Sequence, residues 1–422
     1  MENKDFDAGL LKRMEADCVG CGVCAAICPS GGVRMRLNQE GYFTAAFTED
    51  CIRCGRCAAI CPARKRLVCR DAKRAAQVWY AFNRDDGTRY VSSSGGVSSA
   101  LAETALEMGY RVIGAAYDTE SHRVRHILIE DKRELARIIG SKYLPSDTVS
   151  AFQRIGGLSK AAVFGTPCQI QALRKAFPKK DMLLVDFRCF GPANYRLWDK
   201  YLAYIRTIND SGIQAVNMRS KFDNWLRWGM EIRFSNGGVY RKNKLRDPFC
   251  LCFNELQFGV WEKCAACNTL LERSYADIRM EDAWNLLQFA SGRDMRMGAS
   301  QVNVYTEKGE AFWREAQGRL KCRQVDLKYA DHFGQRAPFK KEPYERLTFT
   351  DTPLESVIRD YDRRRSPLAR LYEAGCNLLL YNRFLYLQAK NAVKFFRKLR
   401  RKGTGRIGAK WKSENQTPAD RL

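Results

Sequence analysis

The stretch DCVGCGVCAAICP occupies residues 17–29, and its pattern returns as DCIRCGRCAAICP at residues 50–62. The two stretches form an internal repeat offset by 33 residues and identical at ten of thirteen positions. Both read Cys-x-x-Cys-x-x-Cys-x-x-x-Cys-Pro. Eight thiols in such a regular arrangement predict a metal-binding unit that decides the fold of the N-terminal region.

This spacing is the signature of a bacterial-type ferredoxin domain with two 4Fe-4S clusters, in which the fourth cysteine of each run binds the other cluster. One cluster is therefore predicted to bind Cys18, Cys21, Cys24 and Cys61. The other is predicted to bind Cys51, Cys54, Cys57 and Cys28. The alternatives are a pair of zinc knuckles or a disulfide framework. Zinc sites mostly use two separated ligand pairs, often with histidine, and disulfides suit a secreted chain.

The composition predicts a cytoplasmic protein of two or three domains. The chain has 422 residues and seventeen cysteines, and its first residues contain no apolar core that would indicate an export signal. No run approaches the roughly 18 apolar residues that a membrane span requires. The only histidines are His122, His126 and His332. Three histidines offer few catalytic groups, so the composition argues against a histidine-based hydrolase.

The positive charge is concentrated near the C-terminus. The formal net charge is +25, and fifteen Lys and Arg against one acid lie between Arg363 and Lys412. Within this tail, residues 377–402 interleave Leu, Phe and Tyr with basic residues, which predicts an amphipathic helix. Such a helix can bind an anionic membrane surface or pack on the protein itself, and both alternatives remain open. No nucleic-acid partner is expected, since no known binding motif is present.

Hydrophobic patterning predicts an α+β protein. Strands at 76–83, 110–118, 126–130, 161–165 and 182–187 alternate with helices, which indicates an α/β layer with a partly parallel sheet. A polar turn is predicted at 85–87, a helix is predicted at 131–140, and antiparallel strands are predicted beyond Ile213. The predicted domains are 1–75 (double-cluster ferredoxin), 76–210 (flavin-binding α/β region), 211–350 (α+β region) and 351–422 (basic helical tail with a disordered end).

The sequence SSSGG at 92–96 precedes a predicted helix. Backbone N–H groups at a helix start are unpaired and favour a negative charge, so this turn is a candidate phosphate cradle. Simple helix capping by serine is the alternative.

Several later motifs carry a family resemblance. They are SSSGGVSSAL (92–101), GSKYLPSD (140–147), VFGTPCQIQALRK (163–175), LLVDFRCFGPANYRLW (183–198), VNMRSKFDNW (216–225) and CAACNTLLERSYADIRMEDAW (264–284). In this order they resemble the beta subunits of coenzyme F-420 hydrogenases and dehydrogenases. The resemblance is to the version with an N-terminal double-cluster ferredoxin domain found in surface-polysaccharide gene clusters.

The resemblance implies an FAD-binding iron-sulfur flavoprotein oxidoreductase. By position, Ser94, Gly95 and Gly96 would lie by the flavin phosphates, and Ser141, Lys142 and Tyr143 would line the flavin pocket. The four thiols Cys168, Cys189, Cys264 and Cys267 would hold a third 4Fe-4S cluster. Structural zinc on the last two, or a nucleophilic Cys168, are the alternatives. The remaining cysteines, Cys69, Cys250, Cys252, Cys322 and Cys376, are expected to be buried small hydrophobes.

The sequence departs from the family pattern at Phe190, where the resemblance leads us to expect a histidine after Cys189. This change removes one candidate proton donor. The predicted function is electron transfer between a ferredoxin-like partner, or a small-molecule donor, and an FAD-bound substrate site. A non-catalytic electron carrier or assembly partner of a glycan-modifying enzyme is the alternative.

Overall fold

The computed structural model describes residues 8–64, 73–267, 273–330 and 339–364. The predicted amphipathic segment 377–402 and the rest of the basic tail beyond residue 364 lie outside the described residues, as do Cys69 and Cys376. The described residues up to Arg363 belong to one compact unit.

The N-terminal region is a small α/β unit built around the two cysteine repeats. Its elements are α1 (Ala8–Ala16), α2 (Val23–Ala26), β1 (Val33–Leu37), β2 (Phe43–Phe47) and α3 (Arg56–Ile60). Strands β1 and β2 form an antiparallel hairpin in which Val33 pairs with Phe47. Each cysteine run turns into its short helix at a glycine with a left-handed backbone, Gly22 (φ 76°) and Gly55 (φ 74°). Glycine adopts this conformation without steric cost, which explains its place in both repeats.

The remaining described residues form a sheet-rich core. Its strands are β3 (Lys73–Arg74), β4 (Gln77–Asn83), β5 (Arg111–Asp118), β6 (Arg123–Ile129), β7 (Ser146–Asp147), β8 (Lys160–Gly165), β9 (Asp181–Phe187), β10 (Ile213–Ser220), β11 (Gly229–Phe234), β12 (Val239–Asn243), β13 (Arg273–Ser274), β14 (Ile278–Asp282), β15 (Ser300–Val304) and β16 (Leu320–Val325). Its α-helices are α4 (Asp86–Val91), α5 (Val97–Glu107), α6 (Val149–Arg154), α7 (Pro167–Ala176), α8 (Tyr195–Ile208), α9 (Pro248–Cys250), α10 (Glu262–Ala265), α11 (Gly292–Met297), α12 (Glu307–Ala316), α13 (Lys341–Phe349) and α14 (Leu354–Arg364). A 3-10 helix spans Lys132–Ile138, and a turn of π-helix spans Leu251–Glu255.

The main sheet has nine strands in the order β16-β4-β15-β14-β9-β8-β5-β6-β7. Its centre, β14-β9-β8-β5, is parallel, whereas β16, β4 and β15 pair in antiparallel fashion. Strands from both sides of residue 210 share this sheet, so the predicted regions 76–210 and 211–350 are joined through it. The boundaries of the four predicted domains themselves stay predictions.

The central parallel strands place their carboxyl ends along one edge of the sheet. Ligand sites of open α/β sheets lie outside this edge. The loop after β8 carries Cys168, and the loop after β9 carries Cys189. The sequence prediction that each of these cysteines follows a buried strand is confirmed.

Local sequence explains the sharp strand-to-helix turn after β8. The motif GTPCQ ends the strand at Gly165 and starts α7 with Pro167, whose fixed φ suits the first turn of a helix. The side chain of Gln169 reaches back and accepts a hydrogen bond from the Thr166 backbone N–H at 2.8 Å. Cys168 is thereby held in the first turn of α7.

Helices cover both faces of the main sheet. Helices α5 and α12 pack on one face through side chains such as Leu101 and Trp313. Ile170 and Leu173 of α7 and Phe152 of α6 belong to a second apolar cluster. A third apolar cluster joins α8 to the separate antiparallel sheet β10-β11-β12. The predicted change to antiparallel pairing beyond Ile213 is therefore confirmed.

The N-terminal region packs tightly on the core. Tyr42 stacks on Trp261 with ring centroids 4.3 Å apart, and its hydroxyl donates to the carbonyl of Gly259 at 2.9 Å. Glu40 accepts hydrogen bonds from the Trp261 indole at 3.0 Å and from the Tyr344 hydroxyl at 2.9 Å. These contacts anchor the β1–β2 hairpin on the core.

Two sequence predictions need correction. The polar stretch at 85–87 is not a simple turn but the start of α4, because the Asp85 side chain caps the helix by accepting from the Thr88 N–H at 2.7 Å. The helix predicted at 131–140 is a 3-10 helix over Lys132–Ile138. Among the helices that the structure describes, none combines the length and apolarity needed to traverse a bilayer.

Candidate functional site

The four thiols predicted to share the first cluster lie together; we call Cys18, Cys21, Cys24 and Cys61 the inner set. Burial raises the pKa of the Cys21 thiol, and its neighbours Cys24, Cys61 and Cys18 raise it further. The sulfur of Cys18 accepts backbone hydrogen bonds from Gly20 at 3.4 Å and from Ala45 at 3.3 Å.

The other four thiols surround a small hollow in the N-terminal region; we call Cys28, Cys51, Cys54 and Cys57 the outer set. Burial raises the pKa of Cys57 to about 12, and the thiols of Cys51 and Cys54 raise it as well. At Cys28 the effect of burial is outweighed by hydrogen bonds from Ser30 and neighbouring backbone groups, which lower its pKa. Cys54 is exposed.

The chemistry of both sets fits iron-sulfur clusters. Closely spaced buried thiols resist ionisation because each thiolate raises the pKa of the next, and bound metal cations remove this penalty. Within the described residues, no three His, Cys, Asp or Glu side chains are placed to hold a single metal ion. The thiolates of a four-iron cluster bind separate irons and stand farther apart.

A large cavity of about 960 Å³ lies at the carboxyl edge of the main sheet. Its size is at the upper end of the range for small-molecule and cofactor pockets, roughly 300–1,000 Å³. Its wall takes in the serine-glycine loop, the segment 138–146, the loops after β8 and β9, and the segment 253–267.

Four further cysteines lie in the wall of this cavity; we call Cys168, Cys189, Cys264 and Cys267 the cavity set. Burial raises the pKa of Cys168 to about 12, the Thr166 hydroxyl lowers it, and Cys189 and Cys267 raise it. The loop after Cys189 runs against Cys264, since a Cβ added at Gly191 would lie 3.3 Å from the Cys264 sulfur. The structure therefore brings together four thiols from three segments that are far apart in sequence.

The cavity set adjoins the inner set. Cys168 is among the groups that raise the pKa of Cys21. Lys263, which precedes Cys264, donates to the carbonyl of Cys18 at 3.3 Å. The three thiol sets therefore follow one another in space, in the order outer set, inner set, cavity set.

Two of the three loop residues predicted for phosphate contact lie on the cavity wall. Ser94 and Gly96 line the cavity, and Gly96 caps α5 with a φ of 75°. Gly95 is not part of the wall. Its N–H donates to the Ser300 hydroxyl at 3.2 Å, and a Cβ there would lie 2.7 Å from the Ala81 carbonyl. Gly95 therefore allows the loop to approach the sheet closely.

The segment predicted to line the flavin pocket, Ser141, Lys142 and Tyr143, lies in the same wall. The Ser141 N–H donates to the Ser93 hydroxyl at 2.7 Å, which ties the two loops together. The Lys142 ammonium donates to the Ile139 carbonyl at 2.7 Å, and burial lowers its pKa to about 7.

Ionic groups that carry no sequence-predicted role complete the wall. Arg219 bridges the Tyr143 hydroxyl at 3.2 Å and Asp282 at 2.8 Å, and its guanidinium lies 4.8 Å from the centre of the Trp228 ring. Arg188 binds Glu281 at 2.7 Å. Arg219 lies within the quoted motif VNMRSKFDNW, but the motif alone does not show which side chain faces a cavity.

His126 also lies in the cavity wall, although sequence reasoning placed no histidine near the site. Its Nδ1 is 2.7 Å from the Ser146 hydroxyl, and burial lowers its pKa to about 4. The remaining described cysteines have no place in the three sets. Cys250 and Cys252 are buried, as predicted, and Cys322 is half-buried.

Comparison with known proteins agrees with this architecture. The family concerned is described as "Coenzyme F420 hydrogenase/dehydrogenase, beta subunit". Residues 78–153 match the model of its N-terminal part, and residues 158–328 match the model of its C-terminal part. Residues 17–66 match a "4Fe-4S dicluster domain".

Two individual proteins show similarity. The coenzyme F420-dependent sulfite reductase of Methanocaldococcus jannaschii is 30% identical over 161 residues, which are 37% of this chain and 25% of that protein. The chain thus matches a quarter of the length of that relative. A chain of the F420-reducing [NiFe] hydrogenase complex from Methanosarcina barkeri aligns over 70% of this chain and 94% of its own length, with 17% identity and a TM-score of 0.42.

The two halves of one family profile together with the dicluster match span most of the described residues. The family consists of hydrogenase and dehydrogenase subunits, so the chemistry is of the oxidoreductase class and involves 4Fe-4S clusters. The chain therefore belongs to the beta subunit family of coenzyme F420 hydrogenases and dehydrogenases and carries a 4Fe-4S dicluster domain at its N-terminal end.

Proposed function

We propose that this chain is an iron-sulfur flavoprotein oxidoreductase that passes electrons between a ferredoxin-like partner and a substrate site at bound FAD. One observation carries the proposal: the wall of a single large cavity contains both four cysteines and the serine-glycine loop at the start of α5. A cofactor in this cavity would contact the cavity set at one part of the wall and a phosphate-binding turn at another.

Each cysteine set would hold one 4Fe-4S cluster, with the inner and outer sets as ligands of the dicluster domain and the cavity set as ligands of a third. When bound, the clusters carry single electrons and the flavin exchanges two with a substrate. The chain supplies the thiols and backbone N–H groups that donate hydrogen bonds to sulfur, as at Cys18 and Cys189. The adjacency of Cys21 and Cys168 supports a short path between the dicluster domain and the cavity.

The residues proposed to hold FAD are Ser94, Gly96, Ser141, Lys142 and Tyr143. The N-terminus of α5 offers unpaired N–H groups to a phosphate, and Lys142 offers an ammonium without a carboxylate partner among the described residues. Gly95, also predicted from the resemblance, holds the same loop against the sheet through its hydrogen bond to Ser300.

Other groups in the wall would orient and polarise the ligand. Burial would by itself lower the pKa of Arg219, but Asp282 and Tyr143 raise it, so the guanidinium keeps its charge inside the cavity. A fixed cation of this kind stabilises negative charge on a bound ring or substrate. Phe190 occupies the position where the resemblance leads us to expect a histidine. The titratable nitrogen groups of His126, Lys142, Lys244 and Lys263 lie in the same wall.

The test is anaerobic purification of the full chain followed by iron, sulfide and flavin quantification. Three clusters require about twelve irons per chain. We expect flavin absorbance and about twelve irons, and we expect Cys168→Ser to lose about four of them. Cys322→Ser, a half-buried cysteine outside all three sets, is the matched control and is expected to keep the full iron content.

About eight irons and no flavin would overturn the proposal and favour a non-catalytic electron carrier or assembly partner. The use of coenzyme F420 and a role in surface-polysaccharide synthesis rest on the family resemblance alone and stay predictions.

A further inference from the structure

The two cysteine repeats differ at only three positions, and the differences follow a clear spatial rule. The paired positions, first copy and second copy, are Val19 and Ile52, Gly20 and Arg53, and Val23 and Arg56. Because the other ten positions are identical, these three substitutions are not required by the cysteine spacing itself.

In the first copy two of the three divergent positions, Gly20 and Val23, pack closely against protein, and Val19 is half-buried in the cavity wall. Val23 is fully buried and packs in the apolar cluster that includes Ile170 and Leu173 of α7. Gly20 has a φ of 73°, and a Cβ there would lie 2.6 Å from the Phe43 carbonyl oxygen. At these two positions the first copy therefore has no room for larger or charged side chains.

In the second copy the same positions face solvent. Ile52 is 63% exposed, and Arg53 and Arg56 are both exposed. Arg53 has a φ of 51°, the left-handed conformation that its counterpart Gly20 adopts without a Cβ. A residue kept in a disfavoured conformation, where the repeat shows that glycine would serve, indicates a use for its side chain.

Within the described residues, Arg53 and Arg56 have no ion-pair partner. They line the same hollow as the outer set, next to the exposed Cys54. We call Ile52, Arg53 and Arg56 the arginine patch.

We propose that the arginine patch is the docking surface for a small acidic electron-carrier protein. This inference rests on the proposed function, since it assigns the partner of the outer set. Two guanidinium groups that form no ion pair with the described part of the chain complement carboxylates, and arginine and exposed apolar side chains are favoured at protein interfaces. Transient complexes between electron-transfer proteins often bury less than about 1,200 Å² of surface. Three side chains at the centre of such an interface therefore contribute a substantial part of its area.

The primary experiment measures binding rather than turnover. A fluorescently labelled, oxidised acidic ferredoxin is titrated with the full anaerobic protein, and anisotropy gives the dissociation constant at low and high salt. We expect Arg53→Glu/Arg56→Glu to weaken binding at least tenfold at low salt. The difference should largely vanish at about 1 M salt, where the Debye length is about 3 Å.

The matched control is Lys321→Glu/Arg323→Glu on the edge strand β16, which makes the same change in net charge at exposed positions of the core. It is expected to bind like the parent protein. Equal weakening by both double variants would assign the effect to overall charge and overturn the proposal. Unchanged or tighter binding by Arg53→Glu/Arg56→Glu would also overturn it.

Arg53→Gly guards against misfolding as an explanation, because it restores the residue that the first copy uses in this conformation. We expect it to keep the full iron content and still weaken ferredoxin binding, and normal binding by this variant would count against the patch.

Reduction by dithionite separates this inference from the proposed function. If dithionite reduces bound flavin in every variant while ferredoxin binding is unaffected, the docking surface is wrong and the proposed function stands. If the purified protein contains no flavin, the proposed function is wrong regardless of the result of the ferredoxin titration.

Discussion

Gly22 is the position where a single methyl group should most directly disturb the packing of the inner set against the core. Its φ is 76°, and a Cβ there would lie 2.0 Å from the hydroxyl oxygen of Thr148, a buried residue at the start of α6. The same hydroxyl donates to the carbonyl of Cys21 at 3.1 Å. Gly22→Ala therefore combines backbone strain with a steric clash.

The magnitude follows from these two parts. A left-handed backbone costs a residue with a Cβ about 1–2 kcal/mol. Overpacking of a well-packed interior costs about 1–3 kcal/mol. We expect Gly22→Ala to destabilise the local structure by about 2–5 kcal/mol in total. Gly31→Ala is the matched control, because Gly31 has a φ of 69° but no atom within 4 Å of its added Cβ. It should cost only about 1–2 kcal/mol.

Native-state hydrogen exchange of the segment 17–29 measures this local stability, which need not equal global stability. At about 1.4 kcal/mol per tenfold change, Gly22→Ala should speed exchange roughly 30-fold to several thousand-fold. Thr148→Ala alone loses one hydrogen bond, worth about 0.5–1.5 kcal/mol. In the Thr148→Ala background the penalty of Gly22→Ala should shrink to about 1–2 kcal/mol, since the clashing oxygen is gone. An equal penalty in both backgrounds, or equal effects of the Gly22 and Gly31 variants, would refute this reasoning.

Two further predictions concern the anchor of the hairpin and the cavity cation. Glu40→Ala removes the acceptor of the Trp261 and Tyr344 hydrogen bonds, so we expect faster limited proteolysis of the β1–β2 hairpin, corresponding to a loss of about 2–4 kcal/mol. Glu40→Gln should restore most of the protection, and no change in cleavage for Glu40→Ala would contradict the anchoring role. Lys142 has a pKa lowered to about 7 by burial, so its positive charge is present below about pH 7 and is lost as pH rises. FAD affinity measured by flavin fluorescence should therefore fall between about pH 6 and 8, whereas Lys142→Met should bind weakly without this pH dependence. A pH-dependent affinity in Lys142→Met would assign the effect to another group.

The cysteine repeat shows what can be predicted from residues that are close together in the chain. Its spacing alone predicted the two thiol sets, because cluster ligands must be close in the chain or exchanged between adjacent repeats. The structure groups Cys61 with the first run and Cys28 with the second, as that rule requires. The alternation of strands and helices likewise predicted the parallel centre of the main sheet.

Roles that depend on contacts between segments far apart in the chain were harder to predict from the sequence. His126 lies on an ordinary amphipathic strand, and nothing in its neighbours along the chain indicates that a cavity opens there. Gly95 belongs to a motif that suggests phosphate binding, yet its close contact with Ser300 shows that it serves packing. The residues around Asp85 predict a turn although they start a helix, because capping and turn formation favour the same residue types.

The spacing of the thiols, the strand and helix segments and the concentration of positive charge could all be read from the amino-acid sequence, because these depend on neighbours along the chain. Folding in three dimensions was needed to establish which copy of the repeat is buried and which faces solvent. It was also needed to establish that the cavity set lies beside the inner set, and that Lys142 enters a buried environment. These properties arise where separate segments meet, and the chain order of the residues does not encode the distance between them.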